Sequence, residues 1–529
     1  MRLNDSSGVL DQRLKNPPAP RPTPHRKMVL NYRAVLGTLG VLVFFLGLAL
    51  LLPAAVGLIY GESSWVHFLV TAIGSVTVGL LAWRFLSAED QELRIREGFA
   101  IVALAWVVLS IVGAIPFLTT GVFETYTDAF FETISGFTTT GATVLGGGGN
   151  PDIEDLDKGL LFWRSLTQWL GGMGIIVLTL AILPLLGVGG MQLYKAEVPG
   201  PATDKLTPRV QETAKRLWLI YVGFTAAEVL LLLPAMGLFD AMNHAFATMA
   251  TGGFSTKNSS VAGFGSSYVE WVITVFMLLA GVNFALHYRL LRGKTITVFR
   301  DTELRVYVGF FLVATVLITI GLWQPLRGVV IFLGSPDGYA GYEAIGDALR
   351  TGAFQAAAII TTTGFATADY ELWSPLALAI IFLCFYVGGM GGSTGGGVKV
   401  IRHVLMFKNS FKEVRQLIHP QAVIPIRLND RVVPQEVMRN VLSFIVLYLG
   451  LIGTGTLAMS VFGLDLTTAF GAALSSVGNI GPAFGSLGPT DNYAQIPMMG
   501  KWVLSLLMLA GRLEIFTVII LFVPAFWRR

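Results

Sequence analysis

Beyond residue 34, long and almost uncharged apolar runs alternate with short polar connectors to the end of the chain. The clearest runs are 35–60, 218–236, 308–323 with its flanks, 442–462 and 502–526. Several exceed the roughly 18 residues that mark a helix able to cross a bilayer. Two leading helices are predicted over 35–59 and 66–88, joined by a turn at Gly61–Trp65 and followed by a charged connector, Glu89–Glu97. The pattern then runs four times through one order: apolar helix, half-length helix, hydroxyl- and glycine-rich loop, apolar helix. These units are placed at 98–190, 215–293, 304–405 and 434–527. The expected fold is an all-α polytopic membrane protein. Four tandem helix–pore-helix–filter–helix repeats surround a central pore, and two leading transmembrane helices precede them.

The loops carry the repeat most clearly. They read Thr138-Thr139-Thr140-Gly141-Ala142-Thr143, Ala250-Thr251-Gly252-Gly253-Phe254-Ser255-Thr256, Thr361-Thr362-Thr363-Gly364-Phe365-Ala366-Thr367 and, more diverged, Ser475-Ser476-Val477-Gly478-Asn479-Ile480-Gly481. Taking Gly141, Gly253, Gly364 and Gly478 as lead glycines gives spacings of 112, 111 and 114 residues. Thirteen residues before them stand Asp128, Asp240, Thr351 and Asp465, all of the type that caps helix N-termini. From cap to loop there is room for about nine helical residues, roughly 14 Å. Such a helix enters a ~30 Å hydrocarbon layer and stops midway. Its C-terminal end would turn the negative half of the helix dipole toward a cation in the loop.

Composition agrees with a membrane protein: 53% hydrophobic residues, 13% charged, and 60 glycines suited to close helix packing. Each half-helix and loop returns to its side of entry, so each repeat makes two crossings and all four face the same way, for ten crossings in total. Residues 119–158 hold seven acids and one lysine, Lys158, whereas the segments between repeats are rich in Lys and Arg. By the positive-inside rule the loops open outward and both termini are cytoplasmic. Residues 1–34, proline-rich and basic, are expected to form a disordered cytoplasmic arm. Cys384, the single cysteine, lies in an apolar run and suits a buried hydrophobe, and the six scattered histidines suggest no metal cluster.

A cation in a low-dielectric layer needs its hydration replaced, and rings of backbone carbonyls do this for potassium. The candidate filter comprises Thr139, Thr140 and Gly141; Thr251, Gly252 and Gly253; Thr362, Thr363 and Gly364; and Ser476, Val477, Gly478 and Asn479. No acid occupies the lead positions, which argues against a carboxylate-ring calcium site. Glu124, Glu132, Asp152, Glu154 and Asp155 are read either as cation-concentrating charges at the mouth or as solvated surface. Within the third repeat, Gly391-Gly392-Ser393-Thr394-Gly395-Gly396-Gly397 cannot sustain a helix, since each Gly costs about 1 kcal/mol relative to Ala. Non-helical backbone at membrane depth lines a cavity or is buried in protein, so this run is the candidate gate. It lacks the Gly-Lys-Ser/Thr ending of a phosphate loop. Arg512, in the middle of the last apolar run, costs on the order of 2.5–3.5 kcal/mol to place there. It should meet carbonyls of the pore or the glycine run; a salt bridge with Glu228 or Glu514 is the alternative.

The loops, together with Trp169-Leu170-Gly171-Gly172-Met173-Gly174, Gly187-Val188-Gly189-Gly190-Met191-Gln192 and Gly391–Lys399, resemble the Trk-type bacterial potassium uptake subunits, TrkH/TrkG, over roughly residues 35–527. The resemblance implies potassium transport across the bacterial inner membrane, an intramembrane gating loop contacted by an arginine, and a homodimer. It also implies a cytosolic TrkA-like regulatory subunit that binds the nucleotide, so no cofactor is assigned to this chain. The fourth loop departs from the family's Thr-rich pattern. Channel-like conduction and symport with protons or sodium both fit the sequence. It holds no nucleophile–base constellation that would suggest an enzyme, and nucleic acid is not an expected partner.

Overall fold

The computed structural model describes residues 31–86, 95–174, 210–326, 339–429 and 431–527. The expected arm up to residue 30, most of the 89–97 connector, the second half of the first repeat from residue 175, and the Gly187–Gln192 motif lie outside the described residues.

The leading hairpin pairs Tyr32–Ala49 and its continuation Leu51–Tyr60 with Ser64–Leu86. Small residues let the two backbones touch: a Cβ on Gly79 would come within 2.5 Å of the Phe44 nitrogen. The predicted arm thus ends three residues early, at the Tyr32 helix start. Among the described residues six helices are long and apolar enough to cross a membrane, and two further pairs pass the same test as bent units. Among the described residues, paired strands are confined to a short antiparallel hairpin, Arg427–Leu428 with Arg431–Val432.

Four half-length helices are present: Tyr126–Phe137, 238–250, Ile345–Ile360 and Leu466–Gly478. The second is continuous with the preceding helix except at Gly237, whose φ of 75° and ψ of 167° break it. The capping prediction holds only for Asp465, which accepts from the Thr468 N–H. In the first repeat the cap is Thr125, and Asp128 sits in the first turn. Asp240 lies just inside the helix after Gly237, and Thr351 is buried within Ile345–Ile360, whose N-cap is Ala344. The 13-residue offset misses because the fourth counterpart of Gly141 is Gly481 and not Gly478, and because the third helix starts earlier, after Ala344.

Each half-length helix ends identically. The N–H groups of Thr139, Thr251, Thr362 and Asn479 bond to the carbonyl three residues back, and those of Thr140, Gly252, Thr363 and Ile480 to the carbonyl five back, at 2.8–3.3 Å. This is the Schellman arrangement, whose left-handed residue is normally glycine. Here it is Thr139 (φ 53°), Thr251 (55°), Thr362 (58°) and Asn479 (54°). A β-branched residue held there is strained by about 1–3 kcal/mol. Two residues later comes a left-handed glycine: Gly141, Gly253, Gly364 and, in the fourth repeat, Gly481. Gly478 is instead the last helical residue. On the corrected register Thr125, Gly237 and Asp465 each stand 16 residues before their glycine.

The second helix of the first repeat passes into a π-helical turn at Leu170–Gly174; those of the other three are broken, at 281–283 with a 98° bend, across 385–399, and at 513–515 with a 118° bend. Only the third was expected from sequence, and the last apolar run is not one straight crossing. The glycines at these points pass the ends of the half-length helices closely. A Cβ on Gly171 would lie 1.9 Å from the Phe137 carbonyl oxygen, and one on Gly511 would lie 2.1 Å from that of Val477.

Candidate functional site

The four loops close on one another in sequence order. A Cβ on Gly141 would lie 2.1 Å from the Gly252 carbonyl oxygen, on Gly253 2.0 Å from that of Thr363, on Gly364 1.9 Å from that of Ile480, and on Gly481 2.6 Å from that of Thr140. Each glycine therefore rests against the main chain of the next repeat, and the fourth returns to the first. Repeats separated by over a hundred residues meet here through backbone alone, which requires glycine at each seam. Thr139, Thr140, Thr251, Thr362, Thr363, Ser476, Val477 and Asn479 are all buried in this ring.

Side chains behind the loops hold them in place, and the residue nine before each left-handed glycine recurs as a brace. In the first repeat Glu132 accepts from the Thr143 hydroxyl and the Val144 N–H, both at 3.0 Å. In the second, His244 is 2.8 Å from the Asp240 carbonyl through Nδ1 and 3.0 Å from the Ser255 hydroxyl through Nε2. In the third, Gln355 donates to the Phe365 carbonyl at 3.3 Å. The fourth has Ala472 there, and its loop is held differently. The Gly481 carbonyl accepts from Ser475 Oγ at 2.9 Å and Tyr493 OH at 2.7 Å. Asn479 Nδ2 donates to Thr140 Oγ1 at 3.0 Å and to the Met508 carbonyl at 2.9 Å. The divergence of the fourth loop is thus an exchange of one support for another around the same backbone.

Two residues of the helix Lys158–Trp169 join the first two loops. Arg164 pairs with Glu132 at 2.8 Å, donates to the Ser255 carbonyl at 3.0 Å and stacks over the Phe254 ring at 4.2 Å. Gln168 donates to the Gly252 carbonyl at 2.7 Å and accepts from the Phe254 N–H at 3.0 Å, clamping the loop on both sides of Gly253. Glu132 is accordingly a buried strut and not a mouth charge, whereas Glu124, Asp152, Glu154 and Asp155 are exposed. Sequence reading missed Arg164 and Gln168. The available signal was a cation and an amide four residues apart, on one face of a helix that also carries large apolar residues.

The glycine run sits directly against this ring. The Gly396 N–H donates to Thr362 Oγ1 at 2.6 Å, and a Cβ on Gly396 would lie 2.6 Å from the Gly478 carbonyl oxygen. Gly392 and Gly397 adopt left-handed conformations, as the irregular path demands. Thr394 Oγ1 donates to the Ala280 carbonyl at 3.2 Å, and the Phe284 N–H to that of Gly392 at 3.1 Å. Lys399 reaches back to the Gly395 carbonyl. Arg512 donates to the Thr394 carbonyl at 2.7 Å and to those of Gly171 and Gly172 at 2.7 and 2.9 Å. Glu514 pairs with Arg402, so it is not the partner of Arg512. A small cavity bordered by Trp106, Gly172, Gly396, Gly511 and Arg512 separates these elements. Arg512 thereby ties the glycine run of the third repeat to the π-helical turn of the first.

Residues 66–529 match the sequence model of the TrkH cation transport protein family. The Trk system potassium uptake protein TrkH of Salmonella typhimurium is 42% identical over 504 residues, covering 94% of this chain and all of the relative. The Trk system potassium uptake protein TrkG of Escherichia coli is 36% identical over 503 residues, covering 94% of this chain and 99% of the relative. The crystal structure of the potassium transporter TrkH from Vibrio parahaemolyticus superposes with a TM-score of 0.81 at 35% identity, covering 94% of this chain and all of that one.

Proposed function

The chain belongs to the TrkH cation transport family, and from that premise we propose that it takes up potassium through the ring of four glycine loops. The observation that carries this reading is the cyclic closure of the loops, each glycine seated on the next repeat's carbonyl. Such a ring would present main-chain oxygens from four repeats to a cation, and each half-length helix ends immediately before its loop, where the negative end of its dipole favours positive charge. Potassium sheds water to enter it and is relayed through carbonyl and hydroxyl oxygens of Thr139–Gly141, Thr251–Gly253, Thr362–Gly364 and their fourth-repeat counterparts.

Conduction is channel-like, and the run Gly391–Gly397 is the gate. The support for this is its place: a non-helical segment bonded to Thr362 beneath the loops and held by Arg512. Releasing Arg512 frees the run to withdraw. Arg512→Ala is expected to raise basal rubidium uptake into liposomes; flux at or below the parent level, at equal insertion, would refute the gate.

A second reading, ion-coupled symport, is favoured by Glu228. This carboxyl is fully buried in the helix Val210–Ala250, with the Thr248 hydroxyl beside it and no cation paired to it among the described residues. An acid so placed is a natural proton carrier. Reversal potentials measured in liposomes with proton and sodium gradients varied separately separate the two mechanisms, because a channel's reversal follows potassium alone.

The remaining parts of the proposal follow the family. The protein resides in a bacterial inner membrane with both termini cytoplasmic, works as a homodimer, and answers to a TrkA-like cytosolic subunit that carries the nucleotide. The basic stretches around Arg289–Arg305 and Lys408–Arg431 would face that subunit.

A further inference from the structure

The glycine run has a fixed point that neither Arg512 nor the loops provide. Glu303, one residue into the helix Thr302–Leu322, is buried to within 8% of its surface. One of its oxygens, Oε1, accepts from the Gly391 N–H at 2.7 Å and from the Ile401 N–H at 3.0 Å. These donors stand ten residues apart, at the two ends of the irregular segment. A single carboxylate oxygen therefore cinches the run shut at its base. Between the two tied amides lie all the residues that touch Thr362, Ala280 and Arg512.

The same helix end is latched to the surface. Asp301 caps the helix by accepting from the Leu304 N–H at 3.0 Å. Asn429, from the turn of the short strand hairpin, accepts from the Thr302 N–H at 2.9 Å and donates to Asp301 Oδ2 at 2.7 Å. Exposed chain and gate are thus two hydrogen-bonded steps apart.

We infer that Glu303 is a positioning residue for the gate, the anchor on which the glycine run is closed, and that the hairpin acts on this anchor through Asn429. The inference rests on the gate reading above. The moving part is then 392–400, pivoting about its tied ends, and weakening the anchor loosens the closed state without touching the ion path.

The test is rubidium uptake by purified protein in liposomes, comparing E303A, E303D, E303Q, N429A and R512A at equal insertion. E303A removes the acceptor, and E303D withdraws it by one methylene, so both should raise basal uptake about tenfold, a shift of about 1.4 kcal/mol in the closed–open balance. E303Q keeps an amide oxygen in place and should restore most of the low flux, which a requirement for charge or mere folding would not predict. N429A should raise uptake in the same direction by less; parent-like flux there removes the hairpin from the path. Raised flux in R512A beside parent levels in both E303A and E303D overturns the anchor, as does E303Q matching E303A. Parent-level flux in R512A overturns the gate reading itself. Should E303A insert poorly, E303D alone carries the comparison.

Discussion

Replacing Gly364 by alanine tests the ring at its tightest seam. The added methyl would stand 1.9 Å from the Ile480 carbonyl oxygen and 2.8 Å from Pro482 Cδ. A carbon–oxygen contact settles near about 3.3 Å, so the third and fourth loops must part by about 1.4 Å. The residue is also left-handed, at φ 77°, which costs an alanine about 1–2 kcal/mol. Neither neighbour can yield cheaply, because one is main chain and the other a ring already pinned by proline. Each tenfold of ion selectivity corresponds to about 1.4 kcal/mol. Distortion of this size at a ligand ring is therefore enough to remove one to two decades of discrimination.

The assay is the ratio of rubidium to sodium uptake in liposomes, with Gly265→Ala as the control. Gly265 is left-handed too, at φ 56°, but a Cβ there meets nothing within 4 Å. It carries the backbone cost without the collision. The expected result is a ratio collapsing toward unity in G364A and unchanged in G265A. A parent-like ratio in G364A, at equal insertion, would mean that the seam does not set the ligand geometry. Equal loss in the two variants would mean that backbone strain alone is responsible.

Three further outcomes follow from the braces. Glu132→Ala strands the fully buried Arg164 and should destabilise the protein by about 3–5 kcal/mol, read as a lowered melting temperature in detergent. Replacing both Glu132 and Arg164 by apolar residues should recover much of that loss. Gln168→Glu keeps the acceptor for the Phe254 N–H but sets a carboxylate oxygen against the Gly252 carbonyl. It should lower the rubidium-to-sodium ratio, whereas a change in melting temperature alone would reassign Gln168 to folding. Thr139→Gly relieves a left-handed β-branched residue, so it should not lower stability by more than the ~0.5–1 kcal/mol that glycine's unfolded freedom costs; a larger fall in melting temperature would show that the strain is not there.

What was legible in the sequence was whatever repeats or costs energy locally. Apolar runs gave the helices, the Thr/Gly loops gave the fourfold plan, and a lone arginine in an apolar run pointed to the glycine segment that it does contact. The fourth loop was misregistered because both Gly478 and Gly481 satisfy the eye, and only backbone conformation separates a helical glycine from a left-handed one. The π-helical turn after Trp169 and the breaks after Ala280 and Arg512 were invisible for a related reason. A single glycine in an apolar helix signals either close packing or a bend, and the choice depends on a carbonyl contributed from elsewhere in the chain.

The braces were hidden more deeply, since their meaning lies in pairings across the repeats. Glu132 looks like a mouth acid until Arg164 is set beside it, and Glu303 looks like an ordinary first-turn acid until Gly391 and Ile401 fold back onto it. A ring of backbone contacts tolerates almost no side chain, so the four seams are forced to be alike. The supports behind them are under no such constraint: a carboxylate, an imidazole, an amide and a methyl occupy one equivalent position. A tandem repeat built this way keeps its pattern where oxygen atoms must converge and loses it one layer out. Symmetry in the sequence therefore reports the backbone seams, and its local failure at Ser475–Gly481 reports only that Tyr493, Ser475 and Asn479 took over the bracing.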